Sequence, residues 1–177
     1  VDPAFVRRVL GASPTAIDSI PSHNVVGQVN ALAAGALGGI VIPVQAFYRP
    51  LPSEEENELI VTGLMKSDMA DSAQRAILTV QQARGVTEEH GRIHFHIPGE
   101  FQKSGPSAGL AFLTALYSER TGWPVRADVA MTGEISPSGK AQRIGGLDEK
   151  LSAALRAGVK TVFLPAANGP ELSEALA

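Results

Sequence analysis

Residues 129–165 read VAMTGEISPSGKAQRIGGLDEKLSAALRAGVKTVFLP, and this stretch decides the fold class. Residues 129–132 are apolar and partly β-branched and predict a strand, and residues 133–141 predict a β-turn that joins two strands. Residues 147–157 predict a helix, and residues 161–165 predict a further strand. Since strands precede this stretch and helices alternate with strands from there on, the sequence predicts an α+β or mixed α/β fold.

The rest of the chain divides into a short N-terminal segment and the remainder of one domain. Residues 1–20 begin with the helix-start pair Asp2-Pro3 and predict a helix or linker from an upstream region. Residues 21–177 form the domain itself. Apolar periodicity and glycine positions predict its other elements, which are strands over 25–29, 39–44, 59–62 and 92–98 and helices over 64–84 and 107–119.

The overall composition narrows the possible functions. The chain has 177 residues, a net charge of −3 and no cysteine. Without cysteine there is no thiol nucleophile, thiolate metal site or disulfide framework. A slightly acidic chain lacks the basic surface typical of nucleic-acid binding, and no run reaches the roughly 18 apolar residues of a membrane span. We therefore expect a cytoplasmic protein that binds neither nucleic acid nor membrane.

Ser107 lies in residues 105–109, which read GPSAG and have the form G-x-S-x-G. In an α/β-hydrolase this serine is the nucleophile, and its histidine follows later in the chain. All four histidines here precede Ser107, so the hydrolase order is excluded. An order Asp68, His94, Ser107 stays open. A serine at this position can also simply cap a helix, and the residues alone favour that interpretation.

Lys150 lies beside the apolar stripe of the helix predicted over residues 147–157. The stripe consists of Leu147, Leu151, Ala154 and Leu155. One interpretation is that the aliphatic stem covers apolar surface while the ammonium reaches water. The other is that the amine lies in a desolvated pocket, which lowers its pKa and makes it a usable general base. The pattern alone favours the first interpretation.

Three of the histidines, His90, His94 and His96, are close in sequence. His94 and His96 share one face of the strand predicted over residues 92–98 and could bind a metal together with His90. Neither a cysteine nor an H-E-x-x-H motif accompanies them. The favoured interpretation is a polar strand face, and we expect no metal site.

Three segments resemble the proteolytic domain of the Lon proteases in order and spacing. They are GPSAG at residues 105–109, TGWPVRADVAMTGEI at residues 121–135, and IGGLDEKL at residues 144–151, which AGVKTV follows at residues 157–162. The similarity is strongest from residue 98 to about residue 165 and extends upstream to residues 27–33. Three motifs in register are far more specific than one G-x-S-x-G, so the sequence is identified as a member of this family.

The resemblance implies the Lon proteolytic-domain fold, with small β-sheets packed against several helices, over residues 21–177. It also implies a serine endopeptidase with a Ser-Lys dyad, whose nucleophile falls on Ser107 and whose base falls on Lys150. Thr132 takes the place of the threonine that helps to orient the lysine. The backbone amides of Gly105, Ser107 and Ala108, at a helix start, are candidate donors to the developing oxyanion.

Partners and departures follow from the same resemblance. It implies unfolded or flexible polypeptide substrates, a homo-hexameric ring and no cofactor within this segment. The Lon-like group includes ATP-independent members, and the altered loop before the serine keeps that subgroup open for this sequence. Ser104 stands where many members have an acidic residue, three places before the nucleophile, and the chain ends sooner than the family's domain usually does. The alternative is a non-catalytic Lon-like scaffold attached to an ATPase or DNA-repair module, against which the retention of Ser107 and Lys150 argues.

Overall fold

The computed structural model describes residues 20–35, 38–52, 54–85, 91–99 and 103–175. The helix predicted near the start of the chain lies outside these ranges, so the boundary at residue 20 stays a prediction. The described elements are β1 (Gln28–Gly35), β2 (Gly38–Pro50), β3 (Glu58–Thr62), α1 (Ser67–Arg84), β4 (Gly91–His96), a 3-10 turn (Pro106–Ala108), α2 (Gly109–Thr121), β5 (Val129–Met131), β6 (Glu134–Ile135), β7 (Ala141–Gln142), α3 (Leu147–Arg156), β8 (Thr161–Phe163), a second 3-10 turn (Ala166–Asn168) and α4 (Gly169–Ala175). The predicted α+β class is confirmed.

Six of the strands form one mixed sheet in the order β3-β4-β2-β1-β5-β8. The β1–β2 and β2–β4 pairs are antiparallel, whereas β3–β4, β1–β5 and β5–β8 are parallel. Strands β6 and β7 form a separate antiparallel hairpin. The prediction of a turn between two strands over residues 133–141 is therefore confirmed.

Helices cover both faces of the main sheet. Side chains along a strand alternate between its faces, and strand β1 has apolar residues on both of them. On β1, Val29 and Ala31 point into a core that α1 and α2 complete with Phe112 and other apolar residues. Leu32 points to the opposite face, where Ala153 and Ala154 of α3 pack. The sheet thus separates α2 from α3.

Helix α1 begins at Ser67, three residues later than the pattern predicts. The reason lies in the backbone before it, where Gly63 and Leu64 have φ angles of 108° and 56°. Met65 then pairs with Lys103 in an isolated parallel bridge. Helix α1 ends at Gly85, which has a left-handed φ of 65°, as the sequence predicts.

None of the helices in the described ranges combines the length and apolarity that a bilayer crossing requires.

Candidate active site

Ser107 lies in the middle of the 3-10 turn that leads into α2. Gly105 caps this turn with φ 98° and ψ 143°, a conformation that favours glycine, and Pro106 occupies its first position. The caps of the turn and of α2 are Gly105 and Ala108, and neither cap has a side-chain hydrogen bond. The interpretation of Ser107 as a capping serine is therefore wrong, and its half-buried hydroxyl is available for other contacts.

The ammonium of Lys150 lies next to that hydroxyl. Its Nζ donates a hydrogen bond to Ser107 Oγ at 3.3 Å, although the two residues are 43 positions apart. The Lys150 side chain is only 3% exposed. The interpretation in which this ammonium reaches water is therefore wrong, because the nitrogen turns inward to the serine.

The buried face of α3 also differs from the predicted one. It consists of Leu147, Lys150, Ala153 and Ala154, whereas Leu155 is 81% exposed. Lys150 is therefore central to the buried face rather than beside it. Small alanines allow α3 to lie close to the sheet on this side, which turns Leu155 outward.

Burial lowers the pKa of Lys150, because the charged form loses its hydration, while the negative charge of Glu149 acts in the opposite direction. A lowered pKa raises the fraction of neutral amine near neutral pH. The neutral amine has a lone pair that can accept the proton of Ser107, which is what a general base requires.

Close backbone approach fixes the position of α3. A Cβ atom built on Gly39 of β2 would lie 1.8 Å from the Glu149 carbonyl oxygen, so only glycine allows this contact. Arg156 adds a hydrogen bond from Nη2 to the Gly39 carbonyl at 2.6 Å. The helix that carries Lys150 is thus held against β2 at both ends.

The loop before α3 is held by a buried amide. Asn168 is fully buried, and its side chain accepts a hydrogen bond from the Ile144 amide at 3.1 Å and donates one to the Ile144 carbonyl at 2.9 Å. Because both main-chain groups of Ile144 are bonded, the start of α3 has a defined position.

Thr132 contacts the nucleophile rather than the lysine. It is fully buried, and its Oγ1 donates to the Ser107 carbonyl at 3.3 Å. The Gly133 amide donates to the same carbonyl at 2.8 Å. The two residues that follow β5 therefore hold the main chain of Ser107.

The three amides predicted as oxyanion donors are not equivalent. The Gly105 amide donates to Asp68 Oδ2 at 2.7 Å and is already engaged. In a 3-10 turn capped by Gly105, the Ala108 amide is the one directed at the Gly105 carbonyl. The Ser107 amide belongs to the first turn, where amides have no carbonyl partner within the helix. Ser107 itself is thus the best placed donor of the three.

The structure does not assemble a triad from Asp68, His94 and Ser107. His94 Nε2 and His96 Nδ1 each lie 2.8 Å from Thr62 Oγ1 on a partly exposed strand face, and Asp68 contacts the Gly105 amide. The described residues include no cluster of three or more His, Cys, Asp or Glu side chains that could hold a metal, and His90 lies outside them.

Comparison with known proteins shows the family of this chain. The family model described as the Lon protease (S16) C-terminal proteolytic domain matches residues 1–176. The Lon protease of Erwinia amylovora is 46% identical over 161 residues, which cover 86% of this chain and 20% of that protein. The Lon protease of Escherichia coli K12 is 45% identical over 161 residues, with the same coverage. That of Chloroflexus aggregans is 39% identical over 181 aligned residues, covering 98% of this chain and 22% of the relative. The chain spans about a fifth of the length of these curated relatives.

Proposed function

The chain belongs to the Lon protease (S16) family as its proteolytic domain, which is a serine peptidase domain, and on this premise we propose that Ser107 and Lys150 are its catalytic dyad. The observation that carries the proposal is the 3.3 Å hydrogen bond between Lys150 Nζ and Ser107 Oγ. A buried amine with a lowered pKa, beside a half-buried hydroxyl, has the chemistry of a base and its nucleophile.

In the proposed reaction, neutral Lys150 accepts the hydroxyl proton while Ser107 Oγ attacks the carbonyl carbon of a peptide bond. The resulting oxyanion accepts a hydrogen bond from the Ser107 amide and lies at the positive end of the helical segment. The lysine ammonium then gives its proton to the leaving amine, the C–N bond breaks and an acyl-enzyme ester remains. The same lysine then accepts a proton from water, and the hydroxide attacks the ester carbonyl carbon. The C–Oγ bond breaks, the lysine ammonium returns its proton to Ser107 Oγ, and the acid product leaves.

The proposal extends to substrates and assembly. Unfolded or flexible polypeptides fit a serine that is accessible from solvent, because an extended chain can present a peptide bond there. We further propose a homo-hexameric, cytoplasmic protein that binds no cofactor, nucleic acid or membrane through this domain. A cysteine-free sequence is compatible with that location, since it forms no disulfide that would need an oxidising compartment.

Single substitutions in the full-length protein test the dyad. Ser107→Ala and Lys150→Ala should each reduce cleavage of unfolded casein at least about 1,000-fold, because nucleophile and base act as one unit. Ser152→Ala and Lys160→Ala, at exposed positions, are the matched controls and should retain wild-type rates.

Two results would count against the dyad. One is full activity in Ser107→Ala or Lys150→Ala. The other is a folded wild-type protein that neither cleaves casein nor reacts at Ser107 with a peptide boronate, which would favour the scaffold alternative.

A further inference from the structure

The segment that leads to the nucleophile lies along the start of helix α1. We call residues 103–107 the nucleophile loop. The Lys103 amide donates to the Leu64 carbonyl at 2.9 Å, and the Lys66 amide donates to the Lys103 carbonyl at 2.9 Å. These two bonds bring the first turn of α1 next to Gly105 and Pro106.

Two side chains of α1 then contact the loop directly. Asp68 Oδ2 accepts the Gly105 amide at 2.7 Å, and Asp68 Oδ1 accepts the Met69 amide at 2.8 Å. Ser72, fully buried, donates from Oγ to the Pro106 carbonyl at 3.0 Å. With both carboxylate oxygens bonded, Asp68 has a fixed orientation, and its bond to Gly105 is of the stronger, charge-assisted kind.

The contact falls where the loop most needs support. Gly105 adopts φ 98° and ψ 143°, a conformation without the internal hydrogen bonds of a helix or sheet. Small rotations at Gly105 would swing Pro106 and Ser107 relative to Lys150. The nucleophile loop reads KSGPS and therefore contains no carboxylate of its own. The residue before Gly105 is Ser104, which is exposed.

Both carboxylate oxygens of Asp68 bond to main-chain amides, those of Gly105 and Met69, and not to the Lys150 amine. We therefore expect Asp68 to affect the reaction through the position of the nucleophile loop.

We propose that Asp68 is a positioning residue for the nucleophile. Its carboxylate accepts the Gly105 amide and thereby fixes the orientation of Ser107 in the turn that leads into helix α2. The same bond removes the Gly105 amide from the oxyanion site. This inference rests on the proposed role of Ser107 and adds a residue from a helix that lies outside the dyad.

Three substitutions in the full-length protein separate position from charge. Asp68→Asn keeps one acceptor oxygen for the Gly105 amide without the charge and gives up the bond from the Met69 amide, which also has the Lys66 carbonyl as partner. Asp68→Glu keeps the charge but displaces the acceptor by one methylene, and Asp68→Ala removes both acceptor and charge. Since misplacement of a reacting group by about 1 Å can cost 100-fold, kcat should fall about 10- to 100-fold in the Ala and Glu variants. The Asn variant should stay within about fivefold of wild type, and KM should change less than about twofold in all three. Asp71→Ala, at an exposed position on α1, is the control.

The readouts are kcat and KM on a peptide with one cleavage site, the pH profile of kcat and the thermal midpoint. The rising limb of the profile, which reports the base, should not move in any Asp68 variant, because Asp68 contacts the nucleophile loop and not the amine. Wild-type kcat in both the Ala and Glu variants would overturn the proposal. So would a pattern in which Glu is active and Asn is not, or a shifted rising limb. If Asp68→Ala does not fold, the Asn and Glu variants still decide. Activity in Ser107→Ala would instead refute the dyad, whatever the Asp68 variants do.

Discussion

A methyl group at Gly39 should separate the proposed base from its nucleophile. Gly39 lies on β2 where α3 approaches it, and a Cβ atom there would lie 1.8 Å from the carbonyl oxygen and 2.3 Å from the carbonyl carbon of Glu149. Both are backbone atoms, which cannot rotate away as the end of a side chain can. Gly39→Ala must therefore move the main chain of α3 or of β2.

The required displacement follows from these distances. Real Cβ contacts essentially never fall below 3.0 Å, so a contact of 1.8 Å must open by about 1.2 Å. Lys150 is the next residue after Glu149, and its 3.3 Å bond to Ser107 Oγ is already near the upper limit of a hydrogen bond. A movement of about 1 Å breaks that bond and should reduce kcat about 100-fold.

The assay is kcat of the full-length protein on a peptide with one cleavage site, with circular dichroism and thermal unfolding to verify the fold. Gly35→Ala is the matched control, because a Cβ atom on Gly35 meets nothing closer than the Gly38 carbonyl at 3.8 Å. A folded Gly39→Ala protein whose kcat is within about threefold of wild type would refute the reasoning from α3 position to Lys150 geometry.

Two further predictions concern the base and the loop before it. Because burial lowers the pKa of Lys150 and the neutral amine is the active form, kcat should rise with pH, and its midpoint should lie below the 10.5 of an ordinary lysine. With chemistry as the rate-limiting step, a flat profile from about pH 6 to 9 would contradict a lysine base. Asn168→Leu leaves the Ile144 amide and carbonyl without their bonds, so the free energy of unfolding should fall by about 2 kcal/mol or more. Urea unfolding measures this loss, and a change below about 0.5 kcal/mol would show that the two bonds contribute little.

The sequence predicted most elements but missed strand residues that lack β propensity. Residues 31–35 read ALAAG and contain none of the β-branched or aromatic residues that are typical of strands. They are extended because β2 pairs with the whole of β1 from Gln28 to Gly35. Pairing with β2 outweighs the local conformational preference of these residues, and a pattern within residues 31–35 alone cannot predict that pairing.

The site was predicted from the family resemblance, while the residues alone favoured the opposite interpretation. A helical pattern could not place Lys150, because Leu155 fits an apolar stripe as well as Ala153 does and only packing against the sheet decides between them. The resemblance to the proteolytic domain of Lon proteases is confirmed, and the serine peptidase activity stays a proposal. Asp68 escaped notice as a partner of the nucleophile loop, since 37 residues separate it from Gly105. The signal that could have suggested it is an acidic residue at the start of α1 combined with a nucleophile loop whose sequence, KSGPS, contains no carboxylate.

The helices next to the proposed nucleophile and base pack on opposite faces of one sheet, although the two reacting atoms meet at 3.3 Å, and this has a consequence for folding. Ser107 precedes helix α2, which belongs to one hydrophobic core, whereas Lys150 is carried by α3, which belongs to the other. A nascent chain that has formed only the first core has a serine without a base. With the proposed dyad, we expect peptidase activity only once the second core is complete, so a chain that has formed the first core alone should be inactive.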